Sequence, residues 1–163
     1  MKILLVDDEL NVLGALQRAL QQMFRDAAPQ IEGFTDPYAA LNRICSCDFD
    51  VVICDYMMPQ MDGADLLQAL KDVAPDTVRI MLSASTEFET VLSAINRAQA
   101  FRFMRKPWDA DELEQNVRLA MALRAALPGA PRPTPQELEA RRLEAEEPGL
   151  LAVRRDADGS IIL

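Results

Sequence analysis

The chain has 163 residues, no histidine, 17 basic against 26 acidic residues, and a hydrophobic fraction of 50%. The missing histidine excludes a Ser-His-Asp triad, a Cys-His pair and any histidine-ligated metal or haem. A net charge of −9 argues against nucleic acid, which needs a cationic footprint.

The first run, Ile3-Leu-Leu-Val6, is apolar and gives way at once to Asp7-Asp8-Glu9. It is too short for a signal peptide. No stretch approaches the roughly 20 apolar residues of a membrane span. Three cysteines, Cys45, Cys47 and Cys54, fit reduced thiols. A cytoplasmic protein without membrane contact is expected. Cys45-Ser-Cys47 has no second pair to complete a metal site and reads as small residues ending a helix.

Val12, Leu16, Leu20 and Met23 or Phe24 have helical spacing. Ile31–Phe34 is a weaker strand, and Asp36-Pro37 reads as an N-cap with Pro at the first helical position. Val51-Val-Ile-Cys54 is a second strong strand, followed by a helix through Leu66, Leu67, Leu70 and Val73. Val78–Leu82 is a third, followed by helical spacing in Phe88, Val91, Leu92 and Ile95. Phe101–Met104 is weaker, and Trp108-Asp109 opens a helix through Leu113, Val117, Ala120 and Met121, with acids in its first turn. The strong runs are short, apolar apart from Arg79, and carry β-branched residues, as strands buried on both faces should. Five β-α units predict an α/β fold, a parallel sheet with helices on both faces.

That domain is residues 1–127. Prolines at 128, 131, 133 and 135 make residues 128–135 a semi-stiff linker. In the tail, 136–163, Thr134-Pro-Gln-Glu137 opens a charged helix over Gln136–Glu147. Leu150–Arg155 and Ser160–Leu163 then read as a hairpin around Asp156-Ala-Asp-Gly159. A lone hairpin is marginal in water, so it needs a surface: the domain, a second copy or a partner.

In a parallel α/β sheet, ligands bind beyond the carboxyl ends of the strands. Strand one ends in Asp7-Asp8, strand three in Asp55 and strand four in Ser83, and strand five runs into Lys106-Pro107. Three carboxylates at one edge repel one another. A hard divalent cation such as Mg²⁺, which takes oxygen ligands and bridges carboxylate to phosphate, relieves that. Lys106 adds positive charge without ligating. The set suits phosphoryl transfer, with a carboxylate as nucleophile. Asp55, alone on its strand, is the natural phosphoacceptor, and the adjacent Asp7 and Asp8 suit the metal.

Four segments carry a specific resemblance: Ile3-Leu-Leu-Val-Asp-Asp-Glu9, Val51-Val-Ile-Cys-Asp-Tyr-Met-Met-Pro-Gln-Met-Asp-Gly63, Met81-Leu-Ser-Ala84 and Phe103-Met-Arg-Lys-Pro107. Over about residues 1–125 the chain resembles a receiver domain of a bacterial two-component response regulator, with every signature position filled. The resemblance implies a doubly wound, flavodoxin-like sheet in the order 2-1-3-4-5. It implies that Asp55 accepts phosphate from a phosphohistidine on a sensor histidine kinase or phosphotransfer protein. Asp7 or Asp8, one of them directly or through water, would bind Mg²⁺ with Asp55 and the backbone carbonyl of Met57. Lys106 would contact a phosphoryl oxygen, with a cis bond to Pro107. Ser83, where Thr is commoner, would hydrogen-bond the phosphoryl group, and Phe103 would rotate into the space it vacates.

No enzymatic output is expected beyond phosphotransfer to Asp55 and its loss. The partner-binding or dimerising surface would be the helix near 87–98, strand 101–104 and helix 109–126. That face carries Glu87, Glu89, Arg97, Arg102, Arg105, Asp109, Asp111, Glu112, Glu114 and Arg118, and mixed signs permit a self-complementary dimer. Two alternatives remain: a phosphorylation-independent adaptor, and a regulatory fragment of a larger cyclic-di-GMP signalling protein. Ala94 to Asp109 resembles receivers fused to such domains.

Overall fold

Each short apolar run pairs into a sheet, and buried residues from the five helices cover it. The computed structural model describes residues 1–84 and 88–127 and, beyond them, Gln136, Glu139 and Arg142. In chain order the elements are β1 (Lys2–Val6), α1 (Leu10–Met23), β2 (Gln30–Phe34), α2 (Pro37–Ser46), β3 (Val51–Asp55), α3 (Gly63–Val73), β4 (Val78–Ser83), α4 (Phe88–Ala98), β5 (Arg102–Arg105) and α5 (Ala110–Ala126). The sheet is five-stranded and parallel, ordered β2-β1-β3-β4-β5. This is the expected fold.

Alternation along the strands divides the core in two. Ile3, Leu5, Val51, Ile53, Val78, Ile80 and Met104 pack with Leu16 and Leu20 of α1 and Leu113 and Val117 of α5. Leu4, Val52, Cys54 and Met81 pack with Ile44 of α2, Leu66, Leu67 and Leu70 of α3, and Ala98 of α4. All five residues of β3 are buried, because helices cover both faces of the central strand.

The helix ends follow local chemistry. The Asp36 carboxylate accepts from the Tyr38 N–H at 2.9 Å, with Pro37 opening α2. Asp109 caps α5 by accepting from the Glu112 N–H at 2.9 Å. Cys47 caps the C-terminus of α2. Two features were not anticipated. A 3-10 turn covers Arg25–Ala27, ending at Ala28 with φ 45°, where Pro29 prevents continuation. Phe101 lies just before β5, although its N–H already donates to the Arg79 carbonyl at 2.8 Å.

The chain divides into two units, Met1–Ala130 and Pro131–Leu163. In the second, Gln136, Glu139 and Arg142 are helical, and Arg142 lies 3.9 Å from Glu139. The expected linker over 128–135, the remainder of the helix and the hairpin lie outside the described residues.

One backbone contact ties the fold to the sheet edge. The loop after β3 turns back so that the Gly63 N–H donates to the Tyr56 carbonyl at 2.8 Å. A Cβ on Gly63 would stand 2.2 Å from the Asp55 carbonyl oxygen, so only glycine fits there. Gly63→Ala should lower stability in urea unfolding by about 1–3 kcal/mol. Gly33 is the matched control. Its Cβ would make ordinary contact with Leu13 at 3.6 Å, and Gly33→Ala should change stability by less than about 1 kcal/mol.

Candidate functional site

Register places the carboxylates. Leu5 pairs with Ile53 and Val6 with Cys54. One step further, Asp7 and Asp55 follow those pairs side by side at the same parity. β4 and β5 supply the rest: Ser83 pairs with Arg105, and the Lys106 N–H donates to the Ser83 carbonyl at 2.9 Å. The four strand ends therefore meet at one edge, and Lys106 projects back to the acids from 99 residues away in sequence from Asp7.

The Lys106 ammonium lies 2.6 Å from Asp7 Oδ2 and 3.0 Å from Asp55 Oδ1. Asp7 is 1% exposed and Asp55 4%, so these charges interact with little screening by water. The other oxygen of Asp7 accepts from the Glu9 N–H at 2.9 Å, which fixes the carboxylate beside the start of α1. Asp8 is exposed, but one of its carboxylate oxygens lies with those of Asp7 and Asp55 inside a cluster 4.8 Å across. Such oxygen-only donors fit a hard divalent cation.

The electrostatics are those of an under-neutralised acidic pocket. Burial pushes the Asp55 carboxyl above the usual aspartate range, and the Asp7 charge adds to the rise. Lys106 and the backbone N–H of Met57 oppose it without cancelling it. Burial alone would lower the Lys106 ammonium, but the hydrogen bonds to Asp7 and Asp55 more than reverse this and raise it.

Met57 itself is 63% exposed, and its N–H on Asp55 brings its backbone beside the carboxylate. Ser83 is buried at the end of β4, and the Lys106–Pro107 bond is cis. Phe103 is not part of the cluster. It pairs with Met81 and packs, half-buried, against the α2–α3–α4 side of the core. Strand parity places Ser83 on that same face.

Several residues of the expected output face are engaged within the chain. Arg118 bonds Glu114 at 2.7 Å, Arg102 lies over the Phe101 ring, and Arg97 pairs with Asp62 and Asp65 at 3.1 and 3.3 Å. Glu87 lies outside the described residues. Two residues quoted only as the end of a matching segment were given no role of their own: Gly63, and Asp62, whose carboxylate caps α3 by accepting from the Asp65 N–H at 2.8 Å. The Asp62-Gly63 pair, with a glycine where a helix former belongs, was the available signal.

Comparison with known proteins agrees with this geometry. The model of the response regulator receiver domain matches residues 3–118. The hydrogenase transcriptional regulatory protein HoxA of Cupriavidus necator is 32% identical over 119 residues, 73% of this chain and 24% of HoxA. The regulatory protein AtoC of Escherichia coli is 34% identical over 124 residues, 76% of this chain and 26% of AtoC. The chain thus spans about a quarter of the length of these relatives. The signal receiver domain of an HD domain-containing protein from Pseudomonas fluorescens superposes with a TM-score of 0.68 at 33% identity, covering 77% of this chain and 98% of that one. A response regulator receiver domain protein from Clostridium thermocellum gives 0.70 at 26% identity, covering 78% and 98%. The chain belongs to the receiver domain family of two-component response regulators.

Proposed function

We propose that Asp55 accepts a phosphoryl group from the phosphohistidine of a sensor histidine kinase or phosphotransfer protein, in a Mg²⁺-dependent reaction. The observation that carries this is the convergence of two buried aspartates on one lysine, with Lys106 Nζ at 2.6 and 3.0 Å. Asp7, Asp8, Asp55 and the Met57 carbonyl are the proposed metal ligands. Bound there, the cation supplies charge neutralisation and an anchor for a phosphoryl oxygen. An Asp55 carboxylate oxygen forms the new bond to phosphorus as the bond to the donor imidazole nitrogen breaks. Lys106 then has a phosphoryl oxygen to pair with, and the Ser83 hydroxyl a second one.

The reaction is on the chain itself, so the output is a change of surface. Ser83 and Phe103 lie on one sheet face by strand parity, on adjacent strands, which supports a relay from hydroxyl to ring toward α4 and β5. The proposed reader is a partner or a second copy at the α4–β5–α5 face. HoxA is named a transcriptional regulatory protein, but most of its length lies outside the match. A cytoplasmic setting is part of the same reading, because phosphohistidine donors of this class present their histidine there. Among the described residues no helix is long and apolar enough to cross a membrane.

Incubation with acetyl phosphate and Mg²⁺ should add one phosphoryl group by intact-mass spectrometry. The adduct should vanish in Asp55→Asn and on chelation; labelling that persists in Asp55→Asn would place the acceptor elsewhere. A raised Asp55 pKa means that the ionised group is less favourable in the folded chain than in the unfolded one at neutral pH. Asp55→Asn should therefore stabilise the metal-free protein by about 1 kcal/mol near pH 7. The gain should shrink as pH falls through the folded pKa of Asp55, where wild type is protonated too. Thermal melts at both pH values read this, and a loss of stability at pH 7 would contradict it. Phe103→Ala should leave acetyl phosphate labelling intact while abolishing any effect of phosphorylation on partner affinity or self-association, measured by calorimetry or sedimentation.

A further inference from the structure

Arg97, on the last turn of α4, makes no contact with the acidic pocket, yet it grips the segment that shapes it. One guanidinium nitrogen lies 3.1 Å from both carboxylate oxygens of Asp62 and 3.3 Å from Asp65. Asp62 is the N-cap of α3. The next residue, Gly63, is the one whose backbone abuts the Asp55 carbonyl and bonds Tyr56. Arg97 thus ties α4 to the far end of the loop that begins at Asp55, where Asp62 caps α3.

We propose that Arg97 is a positioning residue for the metal and phosphoryl site: by holding Asp62 and Asp65 it fixes the Tyr56–Gly63 loop, and through it Asp55 and the Met57 backbone. This rests on the reading of Asp7, Asp8 and Asp55 as a Mg²⁺ site. The Arg97 and Asp65 side chains are 45% and 54% exposed, and exposed ion pairs add little to stability. Here the pair works by restricting the loop. Coupling between α4 and the pocket is reciprocal, so a partner that shifts α4 changes cation affinity by the same factor that the cation changes the partner's.

The sign of the effect separates positioning from plain electrostatics. Deleting a cation and unmasking two carboxylates would strengthen Mg²⁺ binding if charge alone acted. Loosening the loop weakens it. The expected loss is about two- to fivefold in affinity, the size of an exposed ion pair. Mg²⁺ titrations of the full chain, read by the single Trp108 close to Lys106 and by calorimetry, should show weaker binding for Arg97→Ala and an intermediate value for Arg97→Lys. The thermal midpoint of the metal-free protein should move little. Arg43→Ala breaks a comparable ion pair, Arg43–Glu32 at 2.8 Å, remote from the loop, and should leave Mg²⁺ affinity unchanged. Arg97→Ala binding Mg²⁺ as tightly as wild type, or more tightly, overturns the proposal, as does an equal loss in Arg43→Ala. Absence of Mg²⁺ binding by the wild type would instead bring down the reading of the site, and this proposal with it.

Discussion

Two buried aspartates on neighbouring strands share one ammonium, and much of the domain is arranged around that charge balance. Asp7 and Asp55 are adjacent because β1 and β3 pair in register and both end at the same edge. Parallel strands place all their carboxyl ends together, which is why the acids, the serine and the lysine meet. Buried carboxylates without a partner would be strongly penalised. Lys106 answers for Asp7 and Asp55 at once, but with Asp8 beside them three negative charges face one positive. The residual charge of −2 is one that a divalent ion, as proposed above, would neutralise. The Asp55 pKa is raised chiefly by burial, and the Asp7 charge adds to the rise.

Stability and chemistry pull against each other at this edge. A sheet optimised for folding would end in apolar or solvated residues. Here Asp55 is the last residue of a strand that is otherwise wholly apolar, and a neighbouring loop is pressed so close that position 63 has no room for a Cβ. The two buried core layers on either side of β3 support that arrangement. A large apolar interior is what lets a small polar cluster stay in an unfavourable state.

The legible part of this molecule was what burial writes into a sequence. Ile3–Val6 and Val51–Cys54 lie between two helical layers, so their apolar runs are unbroken, and Val78–Leu82 is interrupted only by the partly buried Arg79. Asp36-Pro37 announces a helix by local chemistry alone. The order of the strands came instead from the resemblance, because alternation specifies parallel pairing and leaves the neighbours open. The 3-10 turn at Arg25–Ala27 has no periodicity to reveal it. Arg97 read as one more charge on an outer face, since nothing in sequence relates it to Asp62, 35 residues away. Gly63 stood in a matching segment, but why it must be glycine did not show there: the atom that forbids its side chain is the Asp55 carbonyl oxygen.

Strand parity gives the pocket two unlike halves. Asp7, Asp55 and Lys106 continue the parity of Leu5, Ile53 and Met104, which pack toward α1 and α5. Ser83 continues the parity of Met81, and Phe103 shares it, toward α2, α3 and α4. The acids and the lysine are thus rooted in the layer where both of Asp7's oxygens are already committed, one to Lys106 and one to the start of α1. The hydroxyl is rooted in the other layer, on the same face as the half-buried Phe103 of the adjacent strand. In the reading proposed above, a charge added at Asp55 would meet Lys106 on one side and Ser83 on the other. The proposed route from Ser83 to Phe103 toward α4 therefore lies in the layer opposite the one that roots the acids and the lysine.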